Sequence, residues 1–393
     1  MKKNKTKFVQ GFLLGMLSMV IVAALIGIGL HLSKRDINVS TSISDRAAKK
    51  LDFLEKLIDT KFLDKADENK LEEGIYKGLL AGLDDPYSVY YTKEEFNTLK
   101  EQTSGVYSGV GVLVSQSTET GVIRAINVFK DSPAMKAGMK DGDIIYKVRD
   151  KEVTGEDLNN VVARIKGEKG TKVNINVYRS SEDKYIDMEI IRDEINVPTV
   201  EYKMLDKKKG VGYIQITEFE DVTYEQFKKA VNDLKKQGMK SVIFDLRNNP
   251  GGGYSVVCEI LDDLLPEGTI VYTMDKNGKK VEQTSDAECL DIPMVVLQNE
   301  NSASASEIFS GAIQDFGAGE IVGTQSFGKG IVQSILPLSD GSAVKLTVEK
   351  YYTPRGVNIH GKGITPDVIV EAAKNKKTDN QLQKAIEIVN GEK

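Results

Sequence analysis

A serine and a lysine that stand 25 residues apart, Ser304 and Lys329, could form a nucleophile and its base. Ser304 lies in the middle of a run of serines and alanines, and a helical pattern of apolar residues follows it. Lys329 stands between Gly328 and Gly330. A serine hydroxyl needs a base before it attacks a carbonyl group, and a lysine can be that base only when its amine is neutral. These residue types predict a serine–lysine nucleophile pair.

The surroundings of Lys329 suit a neutral amine. An unperturbed lysine has a pKa of about 10.4, and burial is the usual cause of the fall of about 3 units that a base near pH 7 requires. No acidic residue occurs between residues 321 and 339, and the residues that flank the lysine are apolar: Phe327, Ile331 and Val332. Gln333 follows four residues after Lys329, and its amide oxygen could accept a hydrogen bond that orients the amine toward Ser304.

An oxyanion that forms during acyl transfer needs backbone N–H donors. The N–H of Ala305, directly after Ser304 at the start of the predicted helix, is one candidate. A glycine turn at residues 250–253 supplies the other, and we favour Gly252 over Gly251. Glycine permits the close approach of a substrate carbonyl to the backbone.

Composition removes several competing chemistries. The chain has only two histidines, so a serine–histidine–aspartate triad would have to use His360, which lies in a glycine-rich turn. Cys258 and Cys289 lack zinc-type spacing and could at most form one disulfide. The glycine turn lacks a Walker lysine, and the net charge of −5 argues against nucleic-acid binding. We expect no metal site, and we interpret Glu307 as a carboxylate that matches the helix dipole.

Residues 8–32 form an apolar run that is long enough to cross a bilayer as one helix. Lysines precede it in the short tail of residues 1–7. A cleaved signal peptide is the competing interpretation, but the run is long for a signal and no small-residue cleavage site follows it. We therefore expect a single-pass anchor in the cell membrane, with residues 1–7 in the cytoplasm and the catalytic part on the extracytoplasmic side.

Residues 33–102 carry apolar residues at helical spacing, interrupted by an Asp-Asp-Pro sequence at residues 84–86. This N-terminal helical region could pack on the rest of the protein or pair with a second copy as a homodimer. Residues 103–193 change to a strand-like period. There the sequence predicts strands at 106–114, 122–128 and 173–178, and an amphipathic helix at 158–165.

Residues 103–193 resemble a PDZ domain of the bacterial protease-associated type. The match is carried by Ser-Pro-Ala at residues 132–134, Ala-Gly at 137–138 and Gly-Asp-x-Ile at 142–145. PDZ domains add a peptide C-terminus as an extra strand and hold its carboxylate with loop amides. A turn that glycine permits and that binds nothing is the alternative. The resemblance implies a carboxylate-binding loop formed by Gly109, Val110, Gly111 and Val112.

Residues 194–370 alternate strand and helix patterns, as is typical of an α/β core. The predicted strands are 210–216, 241–246 and 294–298, and the predicted helices are 224–236 and 254–265. Residues 371–393 form a polar, lysine-rich tail. The tail ends in a helix with one apolar stripe: Leu382, Ala385, Ile386 and Ile388.

Several ordered sequences in this chain resemble the carboxy-terminal processing, or tail-specific, serine peptidases. They occur at residues 245–252, 302–308, 324–330, 333, 352–354 and 363–367. The resemblance implies a ClpP/crotonase-like peptidase core with an inserted PDZ domain. It also implies Ser304 as nucleophile, Lys329 as base and Gln333 as the residue that orients the base. Substrates would be the C-terminal tails of proteins, which the PDZ domain captures while it gates access, and no cofactor is implied.

Two other functions compete with a membrane-anchored peptidase. The first is a tethered PDZ adaptor on an inactive core, and the intact serine, lysine and glutamine argue against it. The second is a crotonase-like acyl-CoA enzyme on the same core, which the membrane segment and the PDZ resemblance disfavour. Replacement of Ser304 by alanine separates the first alternative from the peptidase, and an assay with acyl thioesters tests the second.

Overall fold

The computed structural model describes residues 45–373 and 378–391. The predicted tail at residues 1–7 and the predicted anchor at residues 8–32 lie outside this part of the chain. Among the described helices, none has the length and apolar character that a membrane span requires. The chain divides into two compact units, Met1–Glu72 and Glu73–Lys393.

From residue 45 onward, the predicted N-terminal helical region has three helices and one strand. Helix α1 (Asp45–Lys61) and helix α2 (Glu68–Ala81) have no buried residue. Strand β1 (Val89–Tyr91) then precedes helix α3 (Lys93–Ser104). Helix α3 begins with a capping box, in which the Thr92 side chain accepts from the Glu95 N–H and the Glu95 carboxylate accepts from the Thr92 N–H. The strand was not predicted.

The PDZ-like domain contains the predicted elements with one correction: the strand predicted at residues 106–114 is two strands, interrupted at Val110 and Gly111. The elements are, in order, β2 (Val106–Gly109), β3 (Val112–Gln116), β4 (Ile123–Val128), α4 (Pro133–Lys136), β5 (Ile144–Val148), β6 (Lys151–Glu152), α5 (Leu158–Ile165), β7 (Lys172–Arg179), β8 (Lys184–Ile191) and β9 (Asp193–Asn196). One sheet has the order β3-β4-β5-β7-β8, with β6 on β5, and β2 pairs with β9 separately. The domain therefore reaches Asn196, three residues beyond the predicted boundary at residue 193.

Alternating burial explains why these strands form one face of a core. Every second residue of β7 is buried, beginning with Val173 and Ile175. The Gly-Asp sequence has a structural role, because the buried Asp143 carboxylate binds the Arg179 guanidinium at 2.8 and 2.7 Å. Arg179 lies at the end of β7, so this ion pair joins the start of β5 to the end of the neighbouring strand.

The peptidase core contains two sheets and four helices among the described residues. Its elements are β10 (Val200–Asp206), β11 (Val211–Ile216), α6 (Thr223–Lys236), β12 (Ser241–Asp245), α7 (Tyr254–Asp262), β13 (Gly268–Asp275), β14 (Lys280–Ser285), β15 (Met294–Gln298), α8 (Ala305–Phe316), β16 (Gly319–Gly323), β17 (Ile331–Pro337), β18 (Ala343–Tyr352), β19 (Val368–Ile369) and α9 (Asn380–Val389).

The first sheet has the order β10-β11-β12-β15-β16-β19 and is parallel except for β10. All residues of β12 and β15 are buried, as expected for central parallel strands that are covered on both faces. One face packs on a core that includes Phe219, Phe227, Phe244 and Phe309. The other face packs on α9 through Ala385, so the predicted apolar stripe of the C-terminal helix belongs to the core.

The second sheet is antiparallel and was not predicted. It has the order β1-β18-β13-β14, and β17 also pairs with β18. In this sheet Val89 of β1 lies opposite Lys345 of β18. The residues just before β1 are therefore brought next to β17 and β18, which follow Lys329 in sequence.

Candidate active site

Ser304 and Lys329 line one cleft of about 460 Å³ in the peptidase core. Ser304 lies directly before α8, and Lys329 lies two residues before β17. Gly252 and Ala305 line the same cleft, and so does Gln333. The fold thus brings together all five core residues that the sequence analysis selected.

The backbone of Ser304 is strained. Its φ of 57° and ψ of −114° are rare for a residue that carries a side chain. Such a conformation costs about 1–3 kcal/mol and persists only where the surroundings enforce it. Here the carboxylate of Glu307 accepts the Ser304 N–H at 2.8 Å, which fixes the turn from the loop into α8.

The glycine turn after β12 is held against the same helix start by Asn249, which is fully buried. The Asn249 carbonyl accepts hydrogen bonds from the Ala303 N–H and the Ser306 hydroxyl, both at 3.0 Å. The Asn249 side chain accepts the Gly251 N–H at 2.8 Å. Because this bond occupies Gly251, the N–H of Gly251 is not available to a substrate.

Gly252 and Ala305 differ from Gly251 in this respect. Within the described residues, neither their N–H groups nor the Ser304 hydroxyl donates a hydrogen bond. Gly252 has a φ of 144°, and a Cβ there would lie 2.2 Å from the carbonyl oxygen of Phe219. The turn therefore requires glycine, and its geometry leaves two backbone donors beside Ser304 that could bind an oxyanion.

Glu307 holds both halves of the site. Its carboxylate is completely buried and also accepts the Gly328 N–H at 2.7 Å and the Lys329 N–H at 2.8 Å. The hydroxyl of Ser326 donates to it at 2.6 Å. The expectation of a simple dipole match is therefore incomplete, since one carboxylate fixes the backbones of Ser304 and Lys329. The Ser-x-x-Glu spacing of a capping box was the signal in the sequence.

The amine of Lys329 is partly buried, and its Nζ lies 4.7 Å from the centre of the Tyr87 ring. Burial and the charge of Lys345 lower the pKa of the Lys329 amine, while the charges of Asp85 and Glu307 act in the opposite direction. The direction agrees with the prediction from sequence. The two acids approach through space, so the acid-free stretch around Lys329 did not reveal them.

Gln333 lines the cleft but contacts a different partner from the predicted one. Its amide nitrogen donates to the Thr347 hydroxyl at 3.4 Å, and no hydrogen bond joins it to Lys329 within the described residues. A register shift between Val332 and Gln333 places Gln333 opposite Thr347 on β18. The irregular pairing, which the sequence does not reveal, therefore sets the direction of this side chain.

Other sequence candidates lie outside the cleft. His360 is exposed and is not among the residues that line it. Cys258 is buried and Cys289 is exposed, and the two are unpaired. Burial raises the pKa of the Cys258 thiol to about 12, which leaves it protonated and unreactive at neutral pH. No cluster of metal ligands occurs among the described residues.

The predicted carboxylate-binding loop borders a separate cavity of about 210 Å³ between β3 and α5. Val110 and Val112 line this cavity, whereas Gly109 ends β2 and pairs with Asp193. Gly111 has a φ of 79°, and a Cβ there would lie 2.4 Å from the Ser132 side chain. We refer to this cavity as the PDZ groove.

Tyr107 occupies one end of the PDZ groove. Burial raises the pKa of its phenol to about 12, against hydrogen bonds from the N–H groups of Val112 and Gly111 that lower it. The Nζ of Lys166 lies 4.9 Å from the centre of the same ring. Two of the four loop amides that were predicted to bind a carboxylate, those of Gly111 and Val112, therefore face an oxygen atom of this chain.

Comparison with known families agrees with this architecture. The model of peptidase family S41 matches residues 210–370, and a PDZ domain model matches residues 108–190. A third model, the N-terminal domain of the activating protease CtpB, matches residues 30–95. These three matches overlap the predicted N-terminal helical region, the PDZ domain and the peptidase core.

Two relatives carry the name Probable CtpA-like serine protease. The protein from Staphylococcus haemolyticus is 36% identical over 378 residues, which are 93% of this chain and 73% of that protein. The protein from Staphylococcus epidermidis is 38% identical over 330 residues, and the match covers 83% of this chain and 66% of that protein. The chain thus belongs to peptidase family S41 and carries a PDZ domain.

A solved structure assigned to the S41 proteases, from Bacteroides fragilis, shares the fold. Its TM-score is 0.53 at 15% identity, and the match covers 86% of this chain and 97% of that chain. At this identity the likeness concerns the fold alone.

Proposed function

We propose that this protein is a serine endopeptidase of the carboxy-terminal processing type, with Ser304 as nucleophile and Lys329 as base. The observation that supports the proposal is the shared cleft. Ser304 and Lys329 line it together with Gly252 and Ala305, whose backbone N–H groups have no acceptor among the described residues. The S41 family assignment and the names of the relatives support the same reaction class.

The residues suggest one order of events. A neutral Lys329 amine takes the proton of the Ser304 hydroxyl, and the oxygen attacks the carbonyl carbon of the substrate peptide bond. The N–H groups of Gly252 and Ala305 stabilise the negative charge that develops on the carbonyl oxygen. The protonated lysine then gives its proton to the leaving amine, and water activated by the same amine hydrolyses the acyl-enzyme.

The low pKa that this reaction requires is supported by the burial of Lys329 and by the nearby charge of Lys345. Gln333 is proposed to act on the lysine when substrate is bound, because it lines the same cleft. No step in this sequence requires a metal ion or an organic cofactor.

The proposed substrates are the C-terminal tails of proteins, which the PDZ domain would bind and pass toward Ser304. The apolar lining of the PDZ groove favours an apolar last residue, since the groove includes Val110, Leu158 and Val162. Pairing with a second copy of the chain through the N-terminal helices stays a prediction, which a measurement of mass in solution would test.

Anchoring in the cell membrane and action outside the cytoplasm are part of the proposal and depend on the apolar run of residues 8–32. Membrane fractionation, followed by protease digestion of intact and of opened cells, would test both statements. Recovery of the protein in the soluble fraction, or protection of the catalytic part in intact cells, would contradict them.

The decisive experiment replaces Ser304 and Lys329 singly by alanine. We expect each change to reduce cleavage of a protein that carries an apolar C-terminal tail by about a thousandfold or more, because the nucleophile and base act as a unit. Binding of the tail should persist in both variants. The measurement is the initial rate of cleavage, followed by mass spectrometry of the products.

Two control variants isolate the side chains that matter. Ser310→Ala removes a hydroxyl from the same helix whose oxygen has no hydrogen-bond partner, and Lys350→Ala removes an exposed lysine from β18. Both controls should cleave at the normal rate. Normal cleavage by Ser304→Ala would refute the assignment and would favour an adaptor on an inactive core.

A further inference from the structure

The Asp-Pro-Tyr-Ser sequence at residues 85–88 lies beside Lys329, the proposed catalytic base. In sequence it stands more than 240 residues before Lys329 (329 − 88 = 241) and resembles a simple break after a helix. In the fold it immediately precedes β1, and the pairing of β1 with β18 brings it beside Lys329. The inference from this placement rests on the proposed function. It concerns the residues that control the charge of the Lys329 amine, which must be neutral to act as a base.

Tyr87 covers the amine. The Nζ of Lys329 lies 4.7 Å from the centre of the Tyr87 ring, within the range of a cation–π contact. Such a contact by itself attracts the ammonium form, but the ring also excludes water from one side of the amine. Exclusion of water disfavours the charged form of a lysine, and burial is the largest influence on this one.

Asp85 is held rigidly beside the ring. Its carboxylate accepts the Tyr87 N–H at 3.1 Å and the Ser88 hydroxyl at 2.6 Å. The Ser88 oxygen in turn accepts the Thr347 N–H at 3.1 Å, which fixes the segment to β18. Burial raises the pKa of Asp85, but hydrogen bonds from Ser88, Thr347 and Tyr87 outweigh it, so the carboxyl stays ionised near neutral pH.

The same contacts link the segment to Gln333. The Thr347 hydroxyl donates to Asp85 and accepts the Gln333 amide at 3.4 Å. Gln333, which the sequence analysis assigned directly to Lys329, is therefore connected to the segment that covers the lysine. A rearrangement of Gln333 would therefore change the hydrogen bonding of Asp85 through the Thr347 hydroxyl.

Three charged groups besides the ring act on the pKa of Lys329. Lys345 approaches from β18 and opposes the ammonium form, whereas Asp85 and Glu307 favour it. Glu307 also binds backbone groups on both sides of the cleft, so a change there would alter more than charge. Asp85 and Tyr87 are the pair that can be changed without touching Ser304 or its helix.

We propose that Tyr87 and Asp85 are positioning residues for Lys329, with opposite effects on its charge: the ring keeps water from the amine, and the carboxylate holds the ammonium form. The two groups therefore act on the pKa of the Lys329 amine in opposite directions. A substrate that displaces water from the amine or moves Asp85 away from it would then favour loss of the proton from Lys329.

The test measures how fast a fluorophosphonate probe labels Ser304 in the full-length protein between pH 5 and pH 10. The rate should rise with pH as Lys329 loses its proton. Tyr87→Ala admits water, so the rise should move to higher pH and the rate at pH 7 should fall about tenfold. Asp85→Asn removes a negative charge, so the rise should move to lower pH. Tyr87→Phe keeps the ring and should leave the position of the rise unchanged.

Asp84→Asn is the matched control, because Asp84 is the exposed neighbour of Asp85 and is not among the groups that act on Lys329. A purely structural role would lower the labelling rate without moving the rise, and that result would overturn the proposal. If Tyr87→Ala does not fold, Asp85→Asn alone decides, since asparagine has nearly the same shape. An unchanged rise in Asp85→Asn would then reject the pair.

Failure of the proposed function would look different. In that case Ser304 would not be labelled at all, or Lys329→Ala would label at the normal rate. A different outcome is that labelling requires Ser304 and Lys329 as proposed, while the pH at which the rate rises stays the same in the Tyr87 and Asp85 variants. That combination would reject only the inference about Tyr87 and Asp85.

Discussion

Two regions of the molecule, the cleft around Ser304 and the PDZ groove, offer backbone N–H groups to an incoming anion. In the cleft, the N–H groups of Gly252 and Ala305 have no acceptor among the described residues. In the groove, the N–H groups of Gly111 and Val112 already face the phenol oxygen of Tyr107. Both regions could bind an anion through backbone N–H groups. In the cleft these groups are free of an internal acceptor, whereas in the groove a side chain of the same protein already accepts from them.

The difference follows from what each region would bind. An oxyanion exists only during the reaction, and donors that are fixed beforehand stabilise it without any rearrangement. A peptide carboxylate is a permanent charge, and an internal oxygen atom that competes with it reduces its net affinity. We therefore expect the cleft to tolerate almost no change in geometry, and the groove to gain from removal of the competitor.

Among the changes that test this comparison of cleft and groove, the largest effect should come from Gly252→Ala. A Cβ at this position would lie 2.2 Å from the Phe219 carbonyl oxygen, and the φ of 144° is strained for alanine. The turn must move, and the N–H would no longer face the substrate carbonyl. Loss of one oxyanion donor lowers kcat by about 100- to 1,000-fold. We expect this fall with little change in KM, measured on a peptide that contains the cleavage site.

Gly253→Ala is the matched control for this change. Gly253 has an ordinary φ of −64°, and a Cβ there would lie 3.0 Å from the Val256 side chain and 3.3 Å from the Phe219 carbonyl oxygen, contacts that a small shift relieves. The control should keep most of its activity. If both variants lose activity equally, or if Gly252→Ala stays active, then the contrast between a rigid cleft and an adjustable groove is wrong.

The sequence predicted those elements of the two regions that have a strong local pattern. The helix at Leu158–Ile165 and the strand at Met294–Gln298 have the predicted bounds, because a strong amphipathic pattern and a continuous apolar run are unambiguous. The antiparallel sheet was missed. Five of the six residues of β14 are exposed, and β18 is partly buried along most of its length, so neither strand has the alternation that predicts one.

The remaining features depend on contacts between distant parts of the chain. Tyr87 reaches Lys329 only because β1 pairs with β18, and no pattern near residue 87 specifies that pairing. The register shift next to Gln333 likewise appears only when two strands are compared. Tyr107 was overlooked because the PDZ resemblance directs attention to the loop itself and not to the residue two positions before it.

A second prediction concerns Glu220, which borders both the Ser304 cleft and a cleft that includes Tyr107. Burial, a hydrogen bond with Glu218 and the charges of Glu218 and Asp221 raise the pKa of Glu220 to about 8, from a usual value near 4.5. Its carboxyl oxygen Oε2 has no hydrogen-bond partner and lies against Gly105, where the chain enters the PDZ domain. The folded protein therefore keeps this group protonated.

The folded protein holds this proton up to about pH 8, whereas the unfolded chain releases it near pH 4.5. The stabilisation is therefore fully present below about pH 4.5 and is lost as the pH rises through about 8. The free energy of unfolding should thus fall over this window, by on the order of 1–3 kcal/mol. Glu220→Gln should abolish that fall, and Glu225→Gln, at a well exposed glutamate, should keep it. Denaturant titrations at several pH values, in a Ser304→Ala background, give the measurement. An identical pH dependence in Glu220→Gln would contradict the prediction.

The smallest effect should come from Tyr107→Phe, which removes the competing oxygen and keeps the ring. The N–H groups of Gly111 and Val112 would then lack an acceptor until a peptide carboxylate arrives. One hydrogen bond of this kind is worth about 1 kcal/mol, so the Kd of a peptide with an apolar last residue should fall about fivefold.

The amidated form of the same peptide separates this effect from a general change in the groove. It has no carboxylate to occupy the loop, so Tyr107→Phe should bind it no more tightly than the normal protein does. Tyr185→Phe, at an exposed tyrosine on β8, serves as the control for loss of a hydroxyl group. Isothermal titration in a Ser304→Ala background measures each Kd. If the free-acid peptide binds equally well with and without the Tyr107 hydroxyl, the phenol does not compete for the loop, and both regions would be equally open to an anion.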